Sequence, residues 1–176
     1  MNNYDYRVNL VDDYLKKLNL SNEINEYYYG RNILVTGGAG AIGSNLVTAL
    51  SRLVGDDGMI IVLDNLSAIK GDEPIDLPPL PNMMFVNGDV RNDIDLKRVF
   101  RERPTIVFHL AAFFANQNSV DYPETSADVD IQGMIKLLDL AQFTDVDKFI
   151  YASSGCAIYG SYGKMPLKED FISMHL

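Results

Sequence analysis

The stretch Ile33-Leu34-Val35-Thr36-Gly37-Gly38-Ala39-Gly40-Ala41-Ile42-Gly43 joins a short apolar strand to three glycines spaced three residues apart and then to a helix. Gly37 permits a tight turn off the strand, Gly40 lets the backbone approach a phosphate, and Gly43 lets the helix pack closely on the sheet. The N–H groups of the first helical turn lack partners within the helix and favour an anion. The stretch therefore predicts a dinucleotide pyrophosphate site.

An acidic residue follows the next predicted strand. Asp64 ends the segment Met59–Leu63 and stands 21 positions after Gly43. A carboxylate at this place accepts hydrogen bonds from the adenosine ribose hydroxyls and repels the additional phosphate of NADP. No arginine lies in the next several residues, and the nearest base is Lys70. NAD is therefore the favoured cofactor, and a solvated strand-end carboxylate is the alternative.

The composition limits the class of protein. The chain has 176 residues, 47% hydrophobic and 22% charged, which fits one soluble globular domain. Its net charge of −9 opposes binding to nucleic acid. Cys156 is the only cysteine, so no intrachain disulfide can form, which fits a cytoplasmic setting. The N-terminus lacks a signal-peptide pattern and no apolar run is long enough to span a membrane, so no membrane association is expected.

Strands and helices alternate from Arg31 onward. The predicted strands cover 32–36, 59–63, 83–87, 105–110 and 148–153, and the predicted helices cover 41–54, 93–102 and 124–143. The proline-rich segment 71–81 is predicted to be a loop. Alternation with apolar, β-branched strands predicts a parallel sheet covered on both faces, which is a doubly wound α/β fold.

Residues 1–30 form an extension before the first strand. Val8, Val11, Leu15 and Leu18 recur at helical spacing, which predicts one amphipathic helix packed on this subunit or on a neighbour. The tyrosines at 27–29 are assigned to packing rather than to ligand stacking. Residues 31–176 form the predicted dinucleotide-binding domain.

Five motifs follow one another along the chain: Thr36–Gly43, Leu63-Asp64-Asn65-Leu66-Ser67, Gly88-Asp89-Val90-Arg91, His109-Leu110-Ala111-Ala112 with Ser119 and Pro123, and Phe149–Gly160. In this order and at this spacing they resemble the extended short-chain dehydrogenase/reductases, the group of NAD-dependent nucleotide-sugar epimerases and dehydratases. The resemblance runs from about Arg31 to the end of the chain. It implies a Rossmann-type sheet that is incomplete on its C-terminal side.

The resemblance also implies a role for each motif. The implied cofactor-binding residues are Gly37, Gly40, Ala41, Ile42 and Gly43 at the pyrophosphate, Asp64, Asn65 and Ser67 at the ribose, Asp89 and Val90 at the adenine, and Leu110, Ala111 and Ala112 on the nicotinamide side. Read from the residues themselves, Asp89 is either an acceptor for the adenine amine or an ordinary loop acid. His109 lies in an apolar strand and is interpreted as a buried histidine rather than a catalyst.

The segment Phe149–Gly160 resembles the loop that carries the catalytic serine or threonine of the family. The position four before Tyr159, where many members have that hydroxyl, is Gly155. Ser154 lies one position before Gly155 and is therefore the catalytic candidate, with Ser153 as the second. The alternative is that these hydroxyls cap the end of the strand. Cys156 is interpreted as inert packing. A further departure is Asp130, which stands where the family usually has asparagine. The sequence predicts no metal site.

The Tyr-x-x-x-Lys pair of the family is absent from these residues. In the family the tyrosine exchanges a proton with the sugar hydroxyl and the lysine lowers the pKa of that tyrosine. The chain is therefore interpreted as the N-terminal half of an enzyme that acts on a nucleotide sugar by transient hydride transfer. We expect a homo-oligomer or a missing C-terminal partner. The alternatives are a non-catalytic NAD-binding module or remnant and a reductase with a small non-sugar substrate.

Overall fold

The computed structural model describes residues 3–68, 75, 77–114 and 116–154, without the side chains of residues 3 and 116. Within these residues one parallel sheet has the strand order β3-β2-β1-β4-β5. The strands are β1 Asn32–Thr36, β2 Met59–Asp64, β3 Met83–Asn87, β4 Ile106–His109 and β5 Lys148–Tyr151. All five predicted strands are confirmed, with ends that differ by no more than two residues.

The described helices include two that the sequence analysis did not predict. They are α1 Asn3–Leu18, α2 Asn22–Tyr28, α3 Ala41–Val54, α4 Asp93–Phe100, α5 Asn116–Asp121, α6 Pro123–Ser126, a π-helical turn Ala127–Gln132 and α7 Gly133–Phe143. The prediction for α3 is correct at both ends, whereas α4 ends two residues early. The predicted helix 124–143 is a continuous run of α6, the π-helical turn and α7. The additional elements are α2 and α5, both too short for a clear periodic pattern.

The sheet has a hydrophobic core on each face. Leu34, Ile61 and Val107 point to the face covered by α4 and α7. Ile33 and Val35 point to the opposite face, where α3 packs through Val47, Leu50 and Val54. All of these side chains are essentially inaccessible to solvent, and burying each stabilises the fold by about 1.5–3 kcal/mol. Helices on both faces of a parallel sheet confirm the doubly wound α/β class.

The N-terminal extension packs on α3 through α1. Val11 is buried in this contact, whereas Leu18 is 46% exposed, so the prediction that Leu18 belongs to the apolar stripe is wrong. The chain turns at Asn19, and α2 begins after Ser21, whose hydroxyl accepts a hydrogen bond from the N–H of Ile24 at 3.4 Å. The extension is therefore two helices rather than one.

The proline-rich connection between β2 and β3 is described only in part. Residues 75 and 77–81 are neither helix nor strand, which agrees with the predicted loop, and the rest of that prediction lies outside the described residues. Leu77 and Leu80 are buried in the core on the α3 face. Ile75 packs against the same core. This connection therefore anchors to the face of the sheet that carries α3.

Candidate dinucleotide-binding site

The predicted site lies at the carboxyl ends of the two central strands. β1 and β4 are neighbours in the sheet, but the chain passes from β1 to β2 on one side and reaches β4 only after β3. The connections that follow β1 and β4 therefore leave in opposite directions. In open α/β sheets this arrangement creates the crevice in which ligands bind.

Gly37 makes the turn off β1. Its φ of +71° lies in the left-handed region, which favours glycine. A Cβ on Gly37 would also lie 2.7 Å from the backbone nitrogen of Ala111. A glycine is therefore needed at position 37 for two reasons: its positive φ and the close approach of the loop that follows β4.

Gly43 and Gly38 are required by packing inside the glycine turn. A Cβ on Gly43 would collide with the carbonyl oxygen of Gly37 and lie 2.7 Å from the Cα of Gly38. A Cβ on Gly38 would lie 2.7 Å from a methyl group of Val62. Gly43 thus brings α3 close to the turn itself, rather than directly to the sheet as the sequence analysis expected.

Gly40 differs because the protein itself does not require a glycine there. Its backbone is extended, with φ −75° and ψ 173°, and any residue adopts this conformation. A Cβ on Gly40 would have a single close contact, the carbonyl oxygen of Gly37 at 3.4 Å. Gly40 is also the N-cap of α3 and supplies no side-chain cap to the first-turn N–H groups of Ala41, Ile42 and Gly43. Open space and uncapped donors together form a cradle for an anion.

Asp64 connects the glycine turn to the loop that follows β2. Its Oδ2 accepts a hydrogen bond from the N–H of Ala39 at 2.9 Å, and its Oδ1 accepts one from the N–H of Leu66 at 2.8 Å. Each carboxylate oxygen has room for a second donor. Asp64 is half-buried, so it can still accept the hydroxyl groups of a ribose.

Asp89 has a more crowded environment than the sequence indicated. Its Oδ1 accepts bonds from the N–H and Nε of Arg91, and its Oδ2 accepts bonds from Nη2 of Arg91 at 2.8 Å and Nδ2 of Asn65 at 2.9 Å. The Arg91 hydrogen bonds are the main cause that lowers the pKa of Asp89 to about 2. Four donors occupy its acceptor positions. An adenine amine would therefore have to displace one of them.

The surroundings of Val90 and Ser67 show which of their atoms are available to an adenine or a ribose. The side chain of Val90 is buried, and a Cβ on Gly133 would lie 2.8 Å from it, so only the backbone of Val90 is available to a ligand. Ser67 is exposed, and its N–H donates to Oδ1 of Asn65 at 3.0 Å. An open depression of about 590 Å³ lies beside Asp89, but no residue of the glycine turn lines it.

The loop after β4 lies against the glycine turn. The N–H of Leu110 donates to the carbonyl oxygen of Thr36 at 3.0 Å, and the N–H of Ala111 donates to the Thr36 hydroxyl at 3.3 Å. Ala112 is exposed beyond them. The small side chains of Ala111 and Ala112 leave room at this part of the crevice.

Asp130 ties the same loop to the π-helical turn. Its Oδ1 accepts a hydrogen bond from the N–H of Phe113 at 2.8 Å, and its Oδ2 accepts one from the Ser126 hydroxyl at 2.9 Å. π-Helical turns are rare and are frequent at functional sites. Asp130, which stands where the family that the sequence resembles usually has asparagine, therefore positions the loop after β4.

His109 is buried at the end of β4. Its ring lies 5.7 Å from that of Tyr151 in a stacked arrangement, and burial lowers the pKa of His109 to about 4. The imidazole is therefore neutral at pH 7 and belongs to the packing between β4 and β5. This agrees with its interpretation as a buried histidine.

Ser153 and Ser154 follow β5 at the carboxyl edge of the sheet. The chain still runs beside β4 at Ala152, whose N–H donates to the carbonyl oxygen of His109 at 3.1 Å. Both serine side chains are exposed, and neither is hydrogen-bonded to another residue in the part of the chain that the structure describes. A capping role for these hydroxyls is thus not seen there. Gly155, Cys156 and Tyr159 lie outside the described residues.

Sequence reasoning missed two residues that organise the site. Thr36 contacts three groups of the β4 segment. The sequence feature that could have identified Thr36 is its position as a polar residue at the end of an apolar strand. Arg91 donates hydrogen bonds to Asp89, and its Nη1 lies 3.6 Å from Oδ2 of Asp128. The sequence feature that could have identified Arg91 is its position two residues after Asp89. In neither case does a pattern in the sequence specify the partner.

Among the described residues no group of three or more histidine, cysteine or acidic side chains could hold a metal ion. In the same part of the chain, no helix has the length and apolar character needed to cross a membrane.

A dinucleotide fits the arrangement by its chemistry. The uncapped N–H groups of α3 and the open space at Gly40 suit a pyrophosphate, which is anionic and needs close backbone approach. The remaining acceptor positions of Asp64 suit ribose hydroxyls, which donate hydrogen bonds. These residues are the ones that would hold the cofactor.

The family model for the NAD dependent epimerase/dehydratase family matches residues 33–175 of the chain. The putative UDP-glucose 4-epimerase of Methanocaldococcus jannaschii is 38% identical over 139 residues, which cover 78% of this chain and 43% of that protein. The UDP-glucose 4-epimerase of Mycolicibacterium smegmatis is 36% identical over 138 residues, with the same two coverages, 78% and 43%. The chain thus spans less than half the length of these relatives.

Solved structures give the same result. An epimerase from Methanothermobacter thermautotrophicus has a TM-score of 0.78 and 47% identity, and the match covers 88% of this chain and 44% of that one. The UDP-glucose 4-epimerase of Thermus thermophilus, solved with NAD, has a TM-score of 0.63 and 36% identity, with coverages of 79% and 42%. The sheet and its flanking helices are therefore shared with known epimerases.

Proposed function

Because the chain belongs to the NAD-dependent epimerase/dehydratase family, we propose that it is the NAD-binding part of a nucleotide-sugar epimerase that acts by transient hydride transfer from a sugar ring carbon. The observation that carries this proposal is Gly40, which the fold does not require and which leaves open space at the uncapped amino end of α3. Relatives named UDP-glucose 4-epimerase favour a UDP-hexose as the substrate.

Each part of the crevice has a role in this proposal. The first-turn N–H groups of α3 bind the pyrophosphate, and Asp64 binds the adenosine ribose and favours NAD over NADP. Bound NAD would supply the acceptor for a hydride from the sugar ring. Ala111 and Ala112 leave room for the nicotinamide, and the loop that carries them is held by Thr36 and Asp130.

The catalytic candidates are the serines after β5. The Ser154 hydroxyl, with Ser153 as the second candidate, would donate a hydrogen bond to the reacting sugar hydroxyl or its carbonyl form. Both side chains are exposed at the carboxyl edge of the sheet, on the side where the β4 loop lies. We further propose that the nucleotide sugar binds with residues beyond those of this chain, in a cytoplasmic protein that is a homo-oligomer or has a C-terminal partner.

A second candidate function is a non-catalytic NAD-binding module. It is favoured by one observation: none of the ten tyrosines in the sequence is followed four residues later by lysine. In this candidate the crevice binds NAD, and these residues do not supply the tyrosine–lysine pair that would take the proton of a sugar hydroxyl. The two candidates therefore agree on NAD and differ on turnover.

One experiment separates them. NAD affinity is measured by calorimetry on the protein expressed from its complete coding sequence, and conversion is followed with UDP-glucose deuterated at the ring carbon C4. Formation of the 4-epimer with the label retained supports hydride transfer. NAD binding without conversion supports the binding module, and loss of the label to solvent indicates proton abstraction instead. A protein that binds no NAD contradicts both candidates.

A further inference from the structure

Asp130 brings a negative charge to the loop that follows β4. Its Oδ1 lies 2.8 Å from the backbone nitrogen of Phe113. That nitrogen is bonded to the carbonyl carbon of Ala112, so the carboxylate lies within about 4 Å of the Ala112 backbone. Ala111 and Ala112 are the residues proposed above to leave room for the nicotinamide. The charge therefore lies next to the part of the crevice proposed for the reactive end of the cofactor.

The two hydrogen bonds of Asp130 do not themselves require a charge. The N–H of Phe113 donates to Oδ1, and the Ser126 hydroxyl donates to Oδ2 at 2.9 Å. An amide side chain of the same shape could accept from Phe113 through its oxygen and donate to Ser126 through its nitrogen, because a hydroxyl both donates and accepts. A neutral residue could therefore hold the loop equally well. What the carboxylate adds is its negative charge.

The surroundings described here do not neutralise that charge. Asp130 lies in the middle of the continuous helical run from Pro123 to Phe143, whereas a helix favours a negative charge only in its first turn. Both of its hydrogen-bond donors are neutral groups. Within the described part of the chain it forms no ion pair, and the arginine that contacts this π-helical turn, Arg91, pairs with Asp89 and Asp128.

The charge of Asp130 also acts on the end of β4. Burial lowers the pKa of His109 to about 4, and the negative charge of Asp130 acts in the opposite direction and raises this pKa. His109 is the last residue of β4, and the loop with Ala111 and Ala112 follows it. The field of the carboxylate therefore extends over this loop from its Phe113 end to the end of the strand.

We propose that the negative charge of Asp130 shifts the preference of the dinucleotide site towards NAD relative to NADH. This inference rests on the NAD binding proposed above. The nicotinamide ring is positively charged in NAD and neutral in NADH, so a nearby carboxylate attracts only the oxidised ring. In the proposed reaction the sugar gives up a hydride and takes it back. A preference for the oxidised cofactor favours the second transfer, which regenerates the sugar.

The test compares the two oxidation states of the cofactor. Calorimetry measures the dissociation constants of NAD and NADH for the protein expressed from its complete coding sequence, as wild type and as Asp130→Asn. The ratio of the NADH constant to the NAD constant is expected to fall by about three- to tenfold in the variant, because it loses a unit charge in partly screened surroundings. A carboxylate that only held the loop would affect both affinities equally. A smaller fall, or a rise, would overturn the proposal.

Two control variants separate the charge from its surroundings. Asp128→Asn removes the same charge from the same π-helical turn, at a side chain that lies 3.6 Å from Nη1 of Arg91. Ser126→Ala removes a hydrogen bond of Asp130 and keeps the charge. In both, the ratio is expected to change by less than about twofold, even where both affinities fall. An equal fall of the ratio in Asp128→Asn would mean that only net charge matters, and an equal fall in Ser126→Ala would mean that loop geometry sets it. Either result contradicts the proposal.

Asp130→Ser is a second neutral variant and keeps the test decisive if Asp130→Asn does not fold. Its shorter side chain holds the loop less well, so both affinities are expected to fall, but the ratio is expected to shift in the same direction as in Asp130→Asn. A wild-type ratio in folded Asp130→Ser would contradict the role of the charge. Wild-type protein that binds neither NAD nor NADH would contradict the proposed function itself, whereas binding of both forms with an unchanged ratio in the neutral variants would contradict the role of Asp130 alone.

Discussion

The hydroxyl oxygen of Thr36 lies 2.6 Å from Nδ1 of His109, and both side chains are buried. The two residues are 73 positions apart and face each other in the register between β1 and β4. The Thr36 hydroxyl also accepts the N–H of Ala111. This contact therefore fixes the ends of the two central strands and the start of the β4 loop relative to each other.

The first prediction concerns the protonation of His109. Burial lowers the pKa of His109 to about 4, below the value of 6.5 expected for an unfolded chain. Between these values the unfolded state binds more protons than the folded state. The free energy of unfolding is therefore highest above about pH 6.5. It declines by up to about 3 kcal/mol as the pH falls towards 4. Thermal unfolding between pH 7.5 and 4.5 and NMR titration of the imidazole measure the effect.

A control is available because the sequence has only one other histidine, His175. In His175→Gln the remaining imidazole signal belongs to His109, and it is expected to stay neutral at pH 5.5. Titration of that signal near pH 6.5 would show that the ring is not in the buried environment described above.

The second prediction concerns cofactor choice at Asp64. Asp64→Ala is expected to weaken NAD by about 1–3 kcal/mol, since ribose hydroxyls and the N–H groups of Ala39 and Leu66 lose their acceptor. The wild-type protein is expected to bind NAD more tightly than NADP, and the variant to lose most of this preference. Calorimetric titration with both cofactors measures these affinities.

Asp57→Ala is the matched control for Asp64. It removes an exposed carboxylate in the loop between α3 and β2, which accepts a hydrogen bond from the Tyr29 hydroxyl at 2.6 Å. NAD affinity is expected to be unchanged in this variant. Equal or tighter binding of NADP by the wild-type protein would refute the assignment of Asp64.

The third prediction compares Gly40, where a side chain would block the proposed phosphate site, with Gly43, where a side chain would disrupt packing. Gly40→Val is expected to abolish NAD binding, because its side chain occupies the open space at the pyrophosphate cradle, while unfolding changes by only about 1 kcal/mol through the weaker N-cap. Gly43→Ala is expected to destabilise the fold by about 1–3 kcal/mol, because its Cβ meets backbone atoms of the glycine turn. Chemical denaturation and NAD titration are measured on both variants. Normal NAD binding by Gly40→Val would place the phosphate site elsewhere.

The fourth prediction concerns the outer edge of β5. β5 pairs with β4 on one side, and no other described strand pairs with it. Its residues Phe149 and Ile150 are half-buried, and Tyr151 is 55% exposed. An apolar strand edge of this kind promotes association. The 176-residue chain expressed by itself is expected to associate with increasing concentration and to turn over no nucleotide sugar.

Light scattering over a concentration series, in parallel with assays on UDP-, GDP- and dTDP-sugars, measures both parts of this prediction. Tyr151→Lys places a charge at the edge and is expected to reduce the association. A monodisperse monomer that converts a nucleotide sugar would contradict the prediction and would direct the search for a base to Ser153, Ser154, Cys156 and Tyr159.

The amino-acid sequence by itself determined the strand–turn–helix unit around Gly37, the order of strands and helices, and the doubly wound class. These features depend on local chemistry: a glycine where φ is positive, apolar residues at strand or helix period, and an acid at a strand end. Such signals act over a few residues, so they can be read without knowing what lies opposite in the fold.

Only the tertiary structure decided which residues meet across the site. The contacts of Thr36 with His109, of Asp130 with Phe113 and of Arg7 with Ser44 join segments 73, 17 and 37 positions apart. It also showed that Gly40 is open whereas Gly43 is packed, although both belong to one motif. Sequence spacing cannot distinguish such cases, because the space around a residue depends on chain segments that approach it only after the whole sheet has assembled.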